Sequence, residues 1–273
     1  MHRALAPLIG IPLGLFIAGV AVWWARPLLP WPGASGVEAA RPAGLPRVLP
    51  FALDPMAAPP GATVQATGTG FFAADHQVVT AAHLVSECRA IRLVSRHLPP
   101  TAARLVAVDV EHDIAVLHVA ALAPARLDIG AGAHVPGQVL VYGFPAGATR
   151  DVPATTWAGV VNDSLAGDKL HRGAGLEMDP RTLVWTQARD IAQGYSGGPM
   201  LDPADGRVVG IVRAVIDRDR AAAAYGIATP DLSIGPGVAP LRAVLAQPQA
   251  TAEDADDIFT RARKAVVRVY CWR

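Results

Sequence analysis

Between residues 61 and 245 the chain is cut into short β-type runs, and that spacing limits the folds open to it. "ATVQATGTGFF", "HQVVTAA", "AIRLVS", "ARLVAVDV", "IAVLHVA", "QVLVYGF", "TTWAGVVN", "LVWTQA", "GRVVGIVRAVI" and "AAYGIAT" follow one another with turn residues between them. Runs of this length, rich in Val, Ile, Thr and aromatic residues, read as strands. No helix of crossover length separates them, which argues against βαβ units. An all-β barrel or sandwich is expected, not a layered α/β fold.

The flanking segments differ in character. Ala4 to Trp24 ("ALAPLIGIPLGLFIAGVAVWW") is 21 residues without a charge, set between Arg3 and Arg26. As a helix rising about 1.5 Å per residue it matches a hydrocarbon layer of about 30 Å. Residues 1–25 therefore read as an N-terminal transmembrane anchor, with Trp23 and Trp24 at the interface. The alternative is a cleaved signal peptide, whose apolar region is ordinarily shorter. Either reading places the bulk of the chain outside the cytoplasm, in a periplasm, at a cell surface or, after cleavage, secreted. Residues 26–60 carry proline every few positions without periodicity, as a semi-rigid tether does. In the tail, residues 246–273, "AEDADDIFTRARK" puts acids first and bases last, as a helix dipole favours, and "AVVRVYCW" then alternates like a strand.

Composition removes other classes. A hydrophobic fraction of 52% with 17% charged residues belongs to a folded chain. A formal net charge of +1, with no basic stripe interleaved with aromatics, offers nothing to a nucleic acid. Cys88 and Cys271 are the only cysteines; in an exported chain they read either as a disulfide or as two buried thiols. No Cys/His spacing suits a zinc site.

Three segments carry possible chemistry. "VVTAAHLV" places His83 just after a β-type run, "VEHDIAVLHV" places Asp113 at the head of another, and "DIAQGYSGGPM" surrounds Ser196 with small residues. A serine hydroxyl is a weak nucleophile at neutral pH and needs a base to take its proton. An imidazole serves as that base when a carboxylate fixes its tautomer. The other histidines, His112 beside Asp113 included, stand in no such motif.

In this order and background the three segments resemble the trypsin-like serine peptidases of the chymotrypsin fold. "GTGFF" precedes "TAAH", "HDIAVL" supplies the aspartate and "GYSGGP" the serine, while "QVLVYGFP", "TTWAGVV", "GRVVGIV" and "YGIATP" are similar to the bacterial Htr/Deg-type branch. The likeness covers residues 61–235. It implies two six-stranded antiparallel β-barrels within residues 61–245, a crevice between them, and His83, Asp113 and Ser196 as catalytic base, orienting carboxylate and nucleophile. It also implies an oxyanion hole from the N–H groups of Gly194 and Ser196, and a substrate-binding edge along the strand Gly210 to Val215, with Gly210, Ile211, Val212 and Arg213 as its binding residues. Asp190, six residues before Ser196, falls where trypsin-type enzymes hold a carboxylate for basic substrate side chains; it is alternatively a loop carboxylate beside Arg189, and Htr/Deg relatives usually take small apolar residues there.

The resemblance implies no metal and no organic cofactor, with proteins or peptides as substrates; the membrane is a further expected partner through the N-terminal helix. Tyr195 stands where the pancreatic-type enzymes use an aspartate to receive a new N-terminus, so activation by that ion pair is not expected. No PDZ-sized domain follows, so peptide-gated activation and cage assembly are not expected either. "RKAVVRVYCW" resembles the strand that normally precedes "GTGF". The tail strand is thus a candidate for that barrel position, with Cys271 bridged to Cys88, or else packs peripherally. The rival to an active peptidase is a catalytically silent protease-fold protein that binds peptides or partner proteins.

Overall fold

Alternating apolar residues leave each strand one face to bury, and here the first sheet solves this by closing on itself. The computed structural model describes residues 58–132, 135–161, 183–216, 231–245 and 257–273. The expected anchor, nearly all of the tether and the run "AAYGIAT" lie outside the described residues. Among the described residues no helix is long and apolar enough to cross a membrane.

Strands β1 (Val64–Ala74), β2 (Gln77–Ala81), β3 (Ala90–Ser95), β4 (Leu98–Asp109), β5 (Ile114–Val119) and β13 (Val266–Trp272) form a closed barrel in the order β1-β13-β3-β4-β5-β2. Every neighbouring pair is antiparallel. Successive side chains on a strand face opposite ways, and β1 uses both faces. Phe72 enters the barrel interior with Val78, Leu93, Leu117 and Val269. Phe71 points out to a second core that takes in Leu140, Tyr142, Leu201 and Ile211. Both rings are fully buried, so β1 is the strand on which the two halves of the domain meet.

The second half contains β6 (Gln138–Gly143), β7 (Ala154–Val160), β8 (Leu183–Gln187), β9 (Pro199–Leu201), β10 (Val208–Ile211), β11 (Ala214–Ile216) and β12 (Leu232–Pro236). It departs from the expected six-stranded barrel. Its seven strands run β10-β9-β6-β7-β8-β12-β11, and the sheet curls until one isolated bridge joins Gly210 to Gly237. No continuous ladder closes it among the described residues. The cause lies in "GRVVGIVRAVI", which reads as one strand in the sequence but serves two edges. Val208–Ile211 pairs with β9. Val212 then leaves that ladder, its N–H donating to the Gly198 carbonyl at 2.9 Å and its carbonyl accepting from Gly197 N–H at 2.7 Å. Arg213 N–H donates to the Ile234 carbonyl at 2.8 Å, and Ala214–Ile216 continues on β12.

Of the helices, α1 (Ala82–Val85) is a single turn after β2, and α2 (Val238–Leu245) seats Leu241 and Leu245 in the shared core. Before β13 comes α3 (Ile258–Ala265), capped by Asp257, whose carboxylate accepts the N–H groups of Phe259 and Thr260. The tail strand β13 sits inside the barrel, between β1 and β3, with Val267 and Val269 in its interior. Cys271 is joined to Cys88 with the Cα atoms 5.4 Å apart and a sequence separation of 183. Arg89 N–H donates to the Trp272 carbonyl at 2.7 Å, so backbone and bridge hold the same junction.

Closing so long a loop restricts the unfolded chain, a contribution of about 2–5 kcal/mol in the chain-entropy account. Replacing both cysteines by alanine is expected to lower the unfolding free energy by about that amount, and denaturant unfolding with and without reductant measures it. Nonreducing peptide mapping is expected to find the Cys88–Cys271 pair. Two free thiols in exported protein contradict the bridge.

Candidate active site

The site begins with a strand register. β2 pairs with β5 so that Ala81 lies opposite Ile114, which brings the residue after one strand beside the residue before the other. His83, in α1, thus meets Asp113. The carboxylate is held twice by the same residue: His83 N–H donates to Asp113 Oδ1 at 2.8 Å, and His83 Nδ1 lies 2.7 Å from Oδ2. A third bond runs from Ala82 N–H to the Asp113 carbonyl at 3.0 Å. Asp113 is buried while the His83 side chain is half exposed, at 7% and 48%. The aspartate therefore faces the imidazole, and the imidazole keeps an open side.

Asp113 has φ +58°, a left-handed conformation that non-glycine residues rarely adopt. The turn leading into it is fastened by a second histidine–carboxylate pair. His112 N–H donates to Asp109 Oδ1 at 3.0 Å and His112 Nδ1 lies 2.7 Å from Oδ2. This pair repeats the geometry of His83 and Asp113 four residues away from the second aspartate. Burial raises the Asp109 carboxyl, but the backbone and side-chain hydrogen bonds and the charge of His112 outweigh it and leave it below its ordinary value of 3.8.

The serine loop is shaped by two glycines. Gly194 and Gly197 have φ +95° and +82°. A Cβ at 194 would strike the Phe144 carbonyl oxygen, and one at 197 the Thr69 carbonyl oxygen. Thr69, fully buried on β1, ties this loop to both halves of the domain. Its N–H donates to the Ser196 carbonyl at 2.9 Å and its Oγ1 donates to the Gly194 carbonyl at 2.6 Å, while Phe144 N–H donates to Oγ1 at 2.9 Å. Thr80 Oγ1 completes the set by donating to the Thr69 carbonyl at 2.7 Å. The N–H groups of Gly194 and Ser196 have no protein acceptor among the described residues, which leaves two donors for a ligand oxygen. Tyr195 turns inward instead, buried, with its hydroxyl 3.2 Å from Thr156 Oγ1.

Ser196 Oγ donates to the Arg213 carbonyl at 3.3 Å, and no hydrogen bond joins it to His83 among the described residues. Arg213 also reaches the other side of the site, with Nε 3.5 Å from Asp113 Oδ2. His83, Asp113, Arg213 and Ser196 are thereby one linked group. Sequence reasoning placed Arg213 only on a substrate edge, since an arginine in a β-run carries no sign that the strand switches partner there. It also passed over the Asp109–His112 clamp, for which the spacing of three residues was the available signal.

Of the expected substrate edge, Gly210 and Ile211 pair with Met200 and Pro199, and both backbone groups of Val212 are taken by the serine loop. Among the described strands β10 and β11 end the sheet order. Asp190 is exposed in the turn that enters the serine loop, not set at a buried floor.

A group lowered by folding contributes stability above its unfolded value and loses it as pH falls through the folded one. The stability difference between wild type and Asp109→Asn is therefore expected to be full at pH 7 and to shrink as pH drops below 3.8. Urea unfolding across that range measures it, and a difference that grows on acidification contradicts the assignment.

This region of the chain is similar to known proteins. The family model described as trypsin-like peptidase domain matches residues 68–211. Serine protease Rv3671c of Mycobacterium tuberculosis is 32% identical over 148 residues, covering 53% of this chain and 35% of its own. A probable periplasmic serine endoprotease, DegP-like, of Chlamydia muridarum is 28% identical over 166 residues, covering 60% of this chain and 31% of its own. The chain thus spans about a third of the length of these relatives. Among solved structures, an inactive serine-to-alanine form of Rv3671c from M. tuberculosis superposes with a TM-score of 0.51 at 25% identity, over 69% of this chain and 87% of that one. The serine endoprotease from Yersinia pestis gives 0.50 at 19% identity, over 67% and 57%, and shares the fold. With its three motifs inside the matched span or joined to it through β1, the chain belongs to the trypsin-like peptidase domain family.

Proposed function

We propose that this chain is a serine endopeptidase that cleaves peptide bonds through Ser196, His83 and Asp113. The observation that carries the reading is the double hold of Asp113 on His83, beside a serine whose neighbouring N–H groups are open. With its proton on Nδ1 facing Asp113, the imidazole has Nε2 left as an acceptor. Ser196 Oγ passes its proton to Nε2 as it attacks the substrate carbonyl carbon, and Asp113 stabilises the resulting imidazolium. The N–H groups of Gly194 and Ser196 receive the developing oxyanion, worth about 10²–10³ in rate per donor. His83 then returns the proton to the leaving amine, and water releases the acyl group by the reverse sequence.

The substrate main chain is proposed to extend the sheet along Ala214–Ile216, where main-chain pairing supplies affinity and side-chain pockets supply choice. Asp190 is the candidate selector for Arg or Lys side chains, acting from an exposed position that substrate would cover. Residues 61–245 together with β13 make up the proposed protease domain. The uncharged stretch at residues 4–24 supports membrane anchoring through an N-terminal helix, with the protease domain outside the cytoplasm.

One observation favours the rival reading of a silent peptide-binding protein, namely that Ser196 Oγ is engaged by the Arg213 carbonyl and not by His83. Digestion of a mixed peptide library separates the two. Wild-type protein is expected to cleave it, Ser196→Ala to leave it intact, and Asp113→Asn to lose about 10⁴-fold in kcat. Peptide binding without cleavage by folded wild type establishes the rival.

A further inference from the structure

Arg213 occupies a position that the proposed chemistry does not explain. Its guanidinium lies 3.5 Å from Asp113 Oδ2, the same oxygen that faces His83 Nδ1 at 2.7 Å. Its carbonyl accepts the Ser196 hydroxyl proton at 3.3 Å. One residue therefore touches the orienting carboxylate with its side chain and the nucleophile with its backbone. The strand switch at Val212 puts it there, because Arg213 is the first residue to leave β9 for β12.

We propose that Arg213 is a positioning residue that restrains the site: its guanidinium shares Asp113 Oδ2 with His83 and so weakens the support that carboxylate gives the imidazolium. The proposal rests on the peptidase reading above. Asp113 does not need Arg213 to stay in place, since His83 N–H fixes Oδ1 and Ala82 N–H fixes the Asp113 carbonyl. What the guanidinium changes is charge. Two unit charges about 4 Å apart interact appreciably even at the effective dielectric of a protein surface, and Asp113 is buried while Arg213 is three-quarters buried. A carboxylate that already neutralises an arginine has less to offer an imidazolium, and the arginine itself repels one. Proton transfer from Ser196 to His83 is thereby made harder.

The test compares full-length wild type with Arg213→Met and Arg213→Lys, using a small organophosphonate that lacks a peptide main chain. The side-chain restraint predicts that Arg213→Met reacts about tenfold faster than wild type, equivalent to about 1.4 kcal/mol in barrier. Arg213→Lys, which keeps the charge, is expected to stay at the wild-type rate. In the proton NMR spectrum the His83 Nδ1–H resonance should move to lower field in Arg213→Met alone, as the undivided carboxylate strengthens that bond. A slower Arg213→Met with its low-field resonance lost would mean that Arg213 is a structural support, and equal rates with an unmoved resonance would mean that it does nothing at Asp113; either overturns the proposal. Arg213→Lys behaving like Arg213→Met overturns the charge argument. Should no variant react at all while the resonance still moves, the peptidase reading fails and the Arg213 contact stands.

Discussion

The structure turns on the buried backbone and hydroxyl of Thr69. A polar group this deep costs several kcal/mol unless every donor and acceptor is met, and Thr69 meets all of them with groups that matter elsewhere: the Ser196 and Gly194 carbonyls, Phe144 N–H at the end of β6, and Thr80 on β2. The first barrel, the second sheet and the serine loop are thus pinned to one residue. The glycines on either side of Ser196 are consequences, because backbone oxygens of Thr69 and Phe144 occupy the space where a Cβ would go. Phe71 and Phe72, the residues that follow in "GTGFF", carry the same strand into both cores.

From that anchor two strand relationships assemble the rest. The β2–β5 register sets His83 against Asp113, and the departure of Val212 from β9 sets Arg213 against both Asp113 and Ser196. The first is a matter of pairing, the second of a pairing that is interrupted. The tail contributes at a distance: β13 completes the barrel wall, and its bridge to Cys88 secures the chain just beyond α1, where His83 sits.

Much of this was legible in the residues themselves. The β-rich spacing and the order of His83, Asp113 and Ser196 follow from local patterns, since period-two alternation and glycine-flanked turns are properties of short segments, whereas the barrels came from the resemblance to trypsin-like peptidases. The strand character of "AVVRVYCW" came from its alternation, and its candidacy for a barrel position from its likeness to the strand that precedes "GTGF" in the family. What was not legible depends on partner choice. Alternation in "GRVVGIVRAVI" says which side chains face inward, not that the first half pairs with β9 and the second with β12, so the curled seven-stranded sheet and the bonds of Val212 to the serine loop were not legible. Burial was equally invisible: Asp190 has the sequence position of a pocket floor, yet the turn leaves it in solvent.

The central claim is that His83, oriented by Asp113, activates Ser196. Treatment of the full chain with a fluorophosphonate, followed by peptide mapping, tests it at the atom concerned. The account predicts a single modified site at Ser196 in wild type, absent from His83→Ala despite an intact Ser196. A folded wild type left unmodified, or modified equally well without His83, would contradict it.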